Sequence, residues 1–321
     1  MENYILLLFY GYTFSIINLK ISLIFNGLTR FLVKDNSENI YAIKVIRKDK
    51  NFTKDSSKIL LQRENELLQK LEWHPNIINS VGYKCEGLLT HEGKSESIHY
   101  NVLEYASNST LSKFIRCTGG IEEELARPMA LQLCHAVEFV HSHEYAHLDI
   151  KLENILLDEY FNIKLADMGS SVDVSKSEGF TNRRRGTQMY MAPEVMNWKS
   201  GQIFNAFSAD VYSLGISLFV LLVGDFPAQE VMENNSTDES DLWNEVSYNP
   251  VTKSKWPGLS EEVRRLILSM TDKDPLKRPT LKEVMESGWL SQSMPDDICL
   301  QVYEELFYRK SFMQKELKIK I

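Results

Sequence analysis

Cysteine is scarce in this sequence, and its four cysteines are scattered along the chain. No two of them form a CxxC pair, which a structural zinc site or a compact disulfide framework would need. The sequence therefore favours reduced thiols and a cytoplasmic location. Cys134 falls within an apolar helical pattern, so we expect it to be a core residue without chemistry.

Basic residues are also fewer than acidic residues. The 321 residues carry 36 Lys and Arg against 44 Asp and Glu, which gives a net charge of −8. Because binding to a phosphate backbone needs a basic face, this balance argues against a nucleic-acid binder. The hydrophobic content of 43% is that of an ordinary globular protein, and the length suits two lobes.

The first 25 residues hold no uninterrupted apolar run of the length that a membrane span takes, about 20 residues. Tyr4–Leu19 is mostly apolar, but three polar residues interrupt it: Thr13, Ser15 and Asn18. Glu2 is acidic, whereas a signal peptide begins with a basic region. We expect core-facing strand and helix here and disfavour a membrane anchor.

Glycine is sparse before Lys44, where only Gly11 and Gly27 occur. A glycine-rich loop lets backbone N–H groups approach the phosphates of a nucleotide, and no GxGxxG pattern offers such a loop here. Asn26 and Gly27 lie between apolar residues instead, which is a strong signal for a two-residue hairpin turn.

The first third of the chain is rich in strand patterns. Leu19–Leu23 alternates apolar and polar residues, Thr29–Lys34 predicts a second strand beyond the turn, and Tyr41–Ile46 is rich in β-formers. After a leucine-striped helix predicted over Ser57–Leu71, Ile98–Ala106 predicts another strand. These patterns indicate an antiparallel meander with one helix.

The rest of the chain is predominantly helical in pattern. Apolar residues recur at helical spacing over Glu122–His143, and Val211–Val223 is apolar on nearly every side, as a fully buried helix is. Glu261–Met270 and Thr280–Ser287 predict later helices. Strands followed by helices are typical of the α+β class.

Four residues carry side chains suited to phosphoryl transfer. Asp149 can accept a proton from a hydroxyl, and Lys44, on a predicted strand, can bind phosphate oxygens. Asn154 and Asp167 offer the hard oxygen ligands that Mg²⁺ prefers. Taken singly, each is more often an ordinary surface residue, so the prediction depends on their joint pattern.

That joint pattern resembles the signature set of eukaryotic protein kinases, over about 40–290. Its parts, in order, are similar to VAIK, HRD…N, DFG and APE: Tyr41-Ala42-Ile43-Lys44, His147–Asp158, Asp167-Met168-Gly169 and Gly186–Glu194. The resemblance implies a bilobal α+β fold with a small, mostly antiparallel N-lobe and a larger helical C-lobe. It places the N-lobe and hinge at 19–106 and the C-lobe at 107–290. An apolar segment of uncertain role, 1–18, comes before them, and a helical tail, 291–321, follows.

The resemblance implies ATP and Mg²⁺ as cofactors and assigns roles to the residues that bind them. Lys44 would contact the α- and β-phosphates and pair with Glu64 of the predicted helix. Glu66 is the rival, but Glu64 lies three residues before a leucine pair, as the family's glutamate does. Adenine would bind in the pocket formed by the hinge and two apolar side chains: gatekeeper Leu103, the backbones of Glu104 and Ala106, and the side chains of Ala42 and Leu156.

The catalytic loop takes its roles from the same resemblance. Asp149 would be the catalytic base, and Lys151 would neutralise the γ-phosphate. Asn154 and Asp167 would bind magnesium. Lys151 and the threonine after Gly186 are typical of serine/threonine kinases, so protein serine and threonine hydroxyls are the expected substrates.

Several further residues resemble structural parts of the C-lobe. Glu194 and Arg278 are similar to the family's buried ion pair, and Asp210 to the aspartate that holds the catalytic loop. His147 is expected to be a packed structural residue.

The chain departs from the family's pattern at three places. Leu148 replaces the arginine that binds a phosphate on the activation loop, and a leucine cannot do so. Met168 replaces a phenylalanine and can fill the same apolar position. The missing glycine loop predicts weak ATP binding and motivates an alternative function, a pseudokinase that acts as a scaffold.

The predicted tail mixes basic and apolar residues over Tyr308–Ile321. Such a segment can bind calmodulin, contact the enzyme in an autoinhibitory way or bind a membrane surface. A helix that caps the lower lobe is the favoured interpretation.

Overall fold

The computed structural model describes residues 6–9, 12–18, 28–46, 54–91, 94–227 and 255–319. The chain divides into two compact units. The first comprises Met1–Ser107 with Asp167–Gly169, and the second comprises Asn108–Ala166 with Ser170–Ile321. The first is built on an antiparallel sheet and the second is mostly helical, so the fold is the predicted bilobal α+β fold.

The first unit is organised by a sheet that closes on itself in the order β1-β2-β3-β4-β6-β5. All its neighbouring strands are antiparallel. The strands are β1 Leu6–Phe9, β2 Tyr12–Asn18, β3 Leu28–Lys34, β4 Ile40–Ile46, β5 Ser80–His91 and β6 Lys94–Glu104. The apolar N-terminal segment therefore supplies two strands of this sheet, where strand and helix were expected.

The predicted hairpin turn stays a prediction. The turn at Asn26-Gly27 and the predicted strand Leu19–Leu23 lie outside the described residues. Among the described residues, the far end of β3 pairs with β2, where Ser15, Ile16 and Asn18 lie opposite Lys34, Val33 and Leu32.

One helix packs against this sheet. It is α1, Lys54–Lys70, which begins three residues before the predicted start. Its leucine stripe is buried at Leu61, Leu67 and Leu68, as the helical spacing requires. The sheet's own apolar core consists of Phe31, Val33, Ile43, Val45, Ile98, Tyr100 and Val102.

The second unit is built from helices and short two-stranded sheets. Its helices are α2 Leu111–Thr118, α3 Glu123–Ser142, α4 Pro193–Met196, α5 Ala206–Val223, α6 Lys255–Gly258, α7 Glu261–Met270, α8 Leu281–Met285 and α9 Ile298–Ile319. Its short strands pair as β7 Tyr145–Ala146 with β10 Val172–Asp173, β8 Ile155–Leu157 with β9 Ile163–Leu165, and β11 Phe180–Thr181 with β12 Phe204–Asn205.

The central helix of this unit is α5, and it is buried on all sides as its composition predicts. Its length and apolarity would suit a membrane span, but 89% of it is buried inside the protein. The Asn205 side chain caps its start by accepting from the backbone of Ser208 at 2.9 Å. Gly224 ends it with a left-handed φ of 92°, where a Cβ would lie 2.6 Å from the Gly120 nitrogen.

The C-terminal helix α9 caps the second unit. It buries apolar side chains such as Leu306 and Met313. Arg309 donates to the carbonyls of Gly119 and Gly120, and Lys310 contacts the Asn108 side chain. These contacts match the capping helix favoured from the sequence. The predicted calmodulin or autoinhibitory contact remains a prediction.

The pair of Glu194 and Arg278 is the main buried ion pair among the described residues of the second unit. The guanidinium is bidentate to the carboxylate, with Nη1–Oε1 at 2.7 Å and Nη2–Oε2 at 2.8 Å. Its Nε donates to the carbonyl of Asp272, and Tyr212 covers its face at 4.9 Å. Burial raises the pKa of the Tyr212 phenol to about 12.

We expect Glu194→Gln to lower the free energy of unfolding of the second unit by about 3 kcal/mol, because it leaves a buried guanidinium without an opposite charge. Chemical denaturation measures this. Lys282→Gln is the control, since Lys282 pairs with Glu286 at 3.9 Å on the surface, where a pair contributes about 0–1 kcal/mol. Equal effects of the two variants would contradict the prediction, and adding Arg278→Met to Glu194→Gln should recover part of the loss.

Candidate active site

In the first unit, the structure brings together three of the predicted residues around one ammonium group. Lys44 Nζ lies 2.6 Å from Glu64 Oε1 and 2.8 Å from Asp167 Oδ1. Lys44 and Glu64 are both buried. Two carboxylates therefore fix the position of the ammonium group that strand β4 carries.

The choice between the two glutamates is settled by the helix. Glu64 faces the sheet and pairs with Lys44, whereas Glu66 is exposed and accepts a hydrogen bond from Gln62 at 2.8 Å. Two residues on a helix are about 200° apart around its axis, so only one of them can face the strand. The predicted partner Glu64 is the one that pairs.

The predicted adenine-binding residues of the first unit lie around one strand end. Leu103 of β6 is opposite Ala42 of β4. The backbone N–H of Glu104 donates to the Asn79 carbonyl at 2.9 Å. Within the described residues the backbone N–H and C=O of Ala106 have no hydrogen-bond partner, although Ala106 is buried. A buried backbone that is not paired internally suits a ligand that makes these bonds.

In the second unit, the carboxylate of Asp149 is held by three donors. Its Oδ2 accepts from Lys151 Nζ at 2.7 Å and from Asn154 Nδ2 at 3.0 Å. Its Oδ1 accepts from the Thr187 hydroxyl at 2.7 Å. Lys151 also donates to Thr187 Oγ1 at 2.6 Å, so the two residues typical of serine/threonine kinases meet at the predicted base.

Asn154 fits the role of a cation ligand. It lies in a 3-10 turn, Leu152–Asn154, after the loop, and its Nδ2 donates to both the carbonyl and the carboxylate of Asp149. Because the nitrogen is used in this way, Oδ1 is the atom that can bind a metal, and it is the hard oxygen that Mg²⁺ takes. Asp167, in the first unit, supplies a carboxylate of the same kind.

The loop before Asp149 is fixed by the buried carboxylate of Asp210, which is 0% exposed. It accepts the backbone N–H groups of His147 and Leu148, both at 2.7 Å. His141 Nε2 lies 2.9 Å from the same carboxylate. This is the loop-holding role that the resemblance implies for Asp210.

His147 is buried and structural, as expected. The backbone N–H of Asp149 donates to its Nδ1 at 3.1 Å, so the ring proton lies on Nε2, which donates to the Ala166 carbonyl at 3.2 Å. The ring therefore connects the catalytic loop to the chain segment that ends at Ala166.

Leu148 occupies an unusual conformation. Its φ is 57°, in the left-handed region that costs a leucine about 1–2 kcal/mol, and its side chain is buried. Gly186 lies so close that a Cβ on it would be 2.6 Å from the Leu148 carbonyl oxygen. The Leu148 side chain is thus a packing residue that carries no charge for a phosphate.

Three remaining predictions concern packing. Met168 is buried, so it can fill the apolar position expected of it. Leu156 is half-buried and lies opposite Lys164 in the β8–β9 pair. Cys134 is buried in α3, and this burial raises the pKa of its thiol to about 12, which makes it unreactive at neutral pH.

The sequence missed two contacts of the site. Asn101 donates to Glu64, and no motif singled it out, because one asparagine in an apolar strand carries no pattern. Tyr190 donates from its hydroxyl to Glu153 at 3.1 Å, which ties the segment around Gly186–Glu194 to the catalytic loop. Burial and the charge of Glu153 raise the pKa of Tyr190.

Comparison with known proteins agrees with this geometry. A family model described as the protein kinase domain matches residues 26–290. CBL-interacting protein kinase 10 of Oryza sativa subsp. japonica is 32% identical over 268 residues, which is 82% of this chain and 53% of that protein. CBL-interacting serine/threonine-protein kinase 15 of Arabidopsis thaliana is 32% identical over 82% of this chain and 58% of its own length.

A yeast relative has a similar sequence identity to this chain. The cell cycle serine/threonine-protein kinase CDC5/MSD2 of Saccharomyces cerevisiae is 28% identical over 86% of this chain and 36% of its own length. The chain thus covers between 36% and 58% of these relatives. A family model that covers most of the chain, and relatives matched along more than four fifths of it, show that this chain belongs to the protein kinase family.

Proposed function

We propose that this protein is a serine/threonine kinase that transfers the γ-phosphate of ATP to hydroxyls of protein substrates in the cytoplasm. The observation that carries the proposal is the carboxylate of Asp149, held by Lys151, Asn154 and Thr187 within 3.0 Å. A carboxylate with a fixed orientation is what a hydroxyl needs as its proton acceptor.

In the proposed reaction, the substrate hydroxyl oxygen forms a bond to the γ-phosphorus while the bond to the ADP oxygen breaks. The hydroxyl proton passes to Asp149. Lys151, 2.7 Å from that carboxylate, supplies positive charge where the transferred group becomes more negative. Lys44, held by Glu64, binds the α- and β-phosphates.

Magnesium, when bound, neutralises the phosphate oxygens during transfer. Asn154 through its Oδ1 and Asp167 through its carboxylate are the proposed ligands, each within its own unit. The proposed adenine contacts are Leu103, Glu104, Ala106, Ala42 and Leu156. Among the described residues the Ala106 backbone has no hydrogen-bond partner, which supports the hinge assignment.

The alternative, a scaffold without catalysis, has less support. The charged residues that it would not need are all present: Lys44 is paired with Glu64, and Asp149 with Lys151. Burying a lysine and a glutamate is costly, so a role beyond stability explains the pair better than stability does. The relatives' names are those of kinases.

We predict that Asp149→Asn lowers kcat by about 10²- to 10⁴-fold and leaves the Kd for Mg-ATP nearly unchanged, because the carboxylate acts on the hydroxyl in the transition state. Phosphate transfer to a generic basic protein measures kcat, and calorimetry measures Kd. Glu159→Gln removes an exposed carboxylate near the same loop and serves as the control. Full activity of purified Asp149→Asn protein would refute the proposal.

We predict that phosphatase treatment changes activity only modestly, because Leu148 is buried and uncharged and cannot receive an activation-loop phosphate. The exposed Arg183 and Arg185, just before Gly186, are alternative cations for such a phosphate, whereas Arg184 Nε donates to the Val195 carbonyl. The measurement compares treated and untreated enzyme, with Thr181→Ala as a further variant. A large loss on treatment that Thr181→Ala reproduces would show the prediction to be wrong.

We predict that Mg-ATP and adenosine bind with more similar affinity than in a kinase with a full glycine loop. The stretch 19–27 contains one glycine, Gly27, so it offers few positions where backbone N–H groups can approach phosphates closely. Each lost hydrogen bond to a charged group weakens binding about tenfold or more. Titration of both ligands tests this, and far tighter binding of Mg-ATP would indicate another phosphate clamp.

A further inference from the structure

Asn101 is a polar residue in the interior of the first unit. It lies in β6 directly opposite Lys44 of β4, so the two side chains point to the same face of the sheet. Its side chain is 0% exposed. Its neighbours along the strand, Tyr100 and Val102, belong to the apolar core on the other face.

The amide nitrogen of Asn101 makes two hydrogen bonds to helix α1. It donates to Glu64 Oε2 at 3.0 Å and to the Leu61 carbonyl at 3.1 Å. Lys44 donates to the other oxygen of the same carboxylate, Glu64 Oε1. Two adjacent strands therefore each supply one donor to Glu64, and neither of its oxygens depends on water.

The orientation of this amide is fixed by its surroundings. If it were turned over, Oδ1 would face the Leu61 carbonyl and the Glu64 carboxylate, which are both acceptors. In the orientation found, Asn101 Oδ1 has no hydrogen-bond partner among the described residues. A buried acceptor without a partner is unfavourable for folding, so stability alone does not explain an asparagine at this position.

We propose that Asn101 is a positioning residue for phosphoryl transfer, which holds the Glu64 carboxylate so that Lys44 stays directed at the nucleotide phosphates. The inference rests on the proposed kinase function. The hydrogen bond to the Leu61 carbonyl is a second contact with α1, one turn before Glu64. The Asn101 amide therefore fixes the rotation of the helix as well as the Glu64 carboxylate. The Lys44–Glu64 pair is thereby assembled by residues of the first unit alone. Elsewhere in the same chain, Leu148 cannot receive an activating phosphate.

The first test is Asn101→Leu, which keeps the approximate volume and removes the donor. We expect kcat/KM for ATP to fall by about tenfold to a hundredfold, as for loss of one hydrogen bond to a charged group. We expect Tm to fall as well, because Glu64 Oε2 and the Leu61 carbonyl lose their donor. Activity is therefore compared well below the Tm of both proteins, where both are fully folded, and unchanged kcat/KM there would overturn the inference.

The matched control is Ser80→Ala. The Ser80 hydroxyl donates to Asn65 Oδ1 at 2.6 Å, so it also connects the sheet to α1, but it does not touch Glu64. We expect kcat/KM to stay within about twofold of the wild type. A loss equal to that of Asn101→Leu would mean that any strand-to-helix bond matters, which overturns the specific role of Asn101.

A pH profile of Asn101→Asp gives an independent readout. At neutral pH this variant places a second carboxylate against Glu64, and we expect activity below that of Asn101→Leu. The pKa of one carboxyl in such a pair is raised, so protonation on acidification restores a donor. The activity relative to wild type should therefore rise as pH falls, and a flat ratio counts against the inference.

Hydrogen exchange in nucleotide-free protein needs no turnover. We expect Asn101→Leu to speed exchange of α1 amides relative to those of the sheet strands, and unchanged exchange would overturn the inference. Failure of the kinase proposal itself is recognised separately, because the wild type would then transfer no more phosphate than Asp149→Asn.

Discussion

The catalytic loop depends on one buried carboxylate. Asp210 accepts the backbone N–H groups of His147 and Leu148, and a carboxylate buried without such donors would be prohibitively costly. The same two bonds stabilise the left-handed backbone at Leu148, which a leucine does not adopt without support. The direction in which the chain enters Asp149 follows from this turn. The position of Asp149 therefore depends on Asp210 in the core of the helical unit.

Each of the two units fixes the orientation of one carboxylate with hydrogen-bond donors. Glu64 in the first and Asp149 in the second are carboxylates whose two oxygens accept from different residues. A carboxylate with one donor can rotate, whereas two donors on different elements fix its plane. Such preorganisation means that little reorganisation is needed at the moment of reaction.

The sequence predicted what periodicity and motif spacing determine. Helix α5 was clear because it is apolar on all sides, and α7 was found with its exact bounds because its cap and stripe agree. The pairing of Lys44 with Glu64 followed from the resemblance to protein kinases, in which the glutamate lies three residues before a leucine pair.

Strand pairing and the contacts of single polar residues could not be predicted, because the alternation of apolar and polar residues does not determine them. The pairing of β2 with β3 was not predicted, because a period of two fits several neighbouring segments equally well. Strand β5 was not predicted, since its two register shifts and its glycines obscure the alternation. Asn101 was missed because its importance depends on a helix 37 residues away in the chain.

The contacts of Arg309 have a consequence for the order in which the protein folds during synthesis. Its guanidinium binds the carbonyls of Gly119 and Gly120, which precede it by 190 and 189 residues. Those carbonyls leave the ribosome long before their donor does, because domains emerge N-terminus first. The Gly119 carbonyl must therefore wait for Arg309, so the helical unit acquires this bond only after more than half of α9 has been translated.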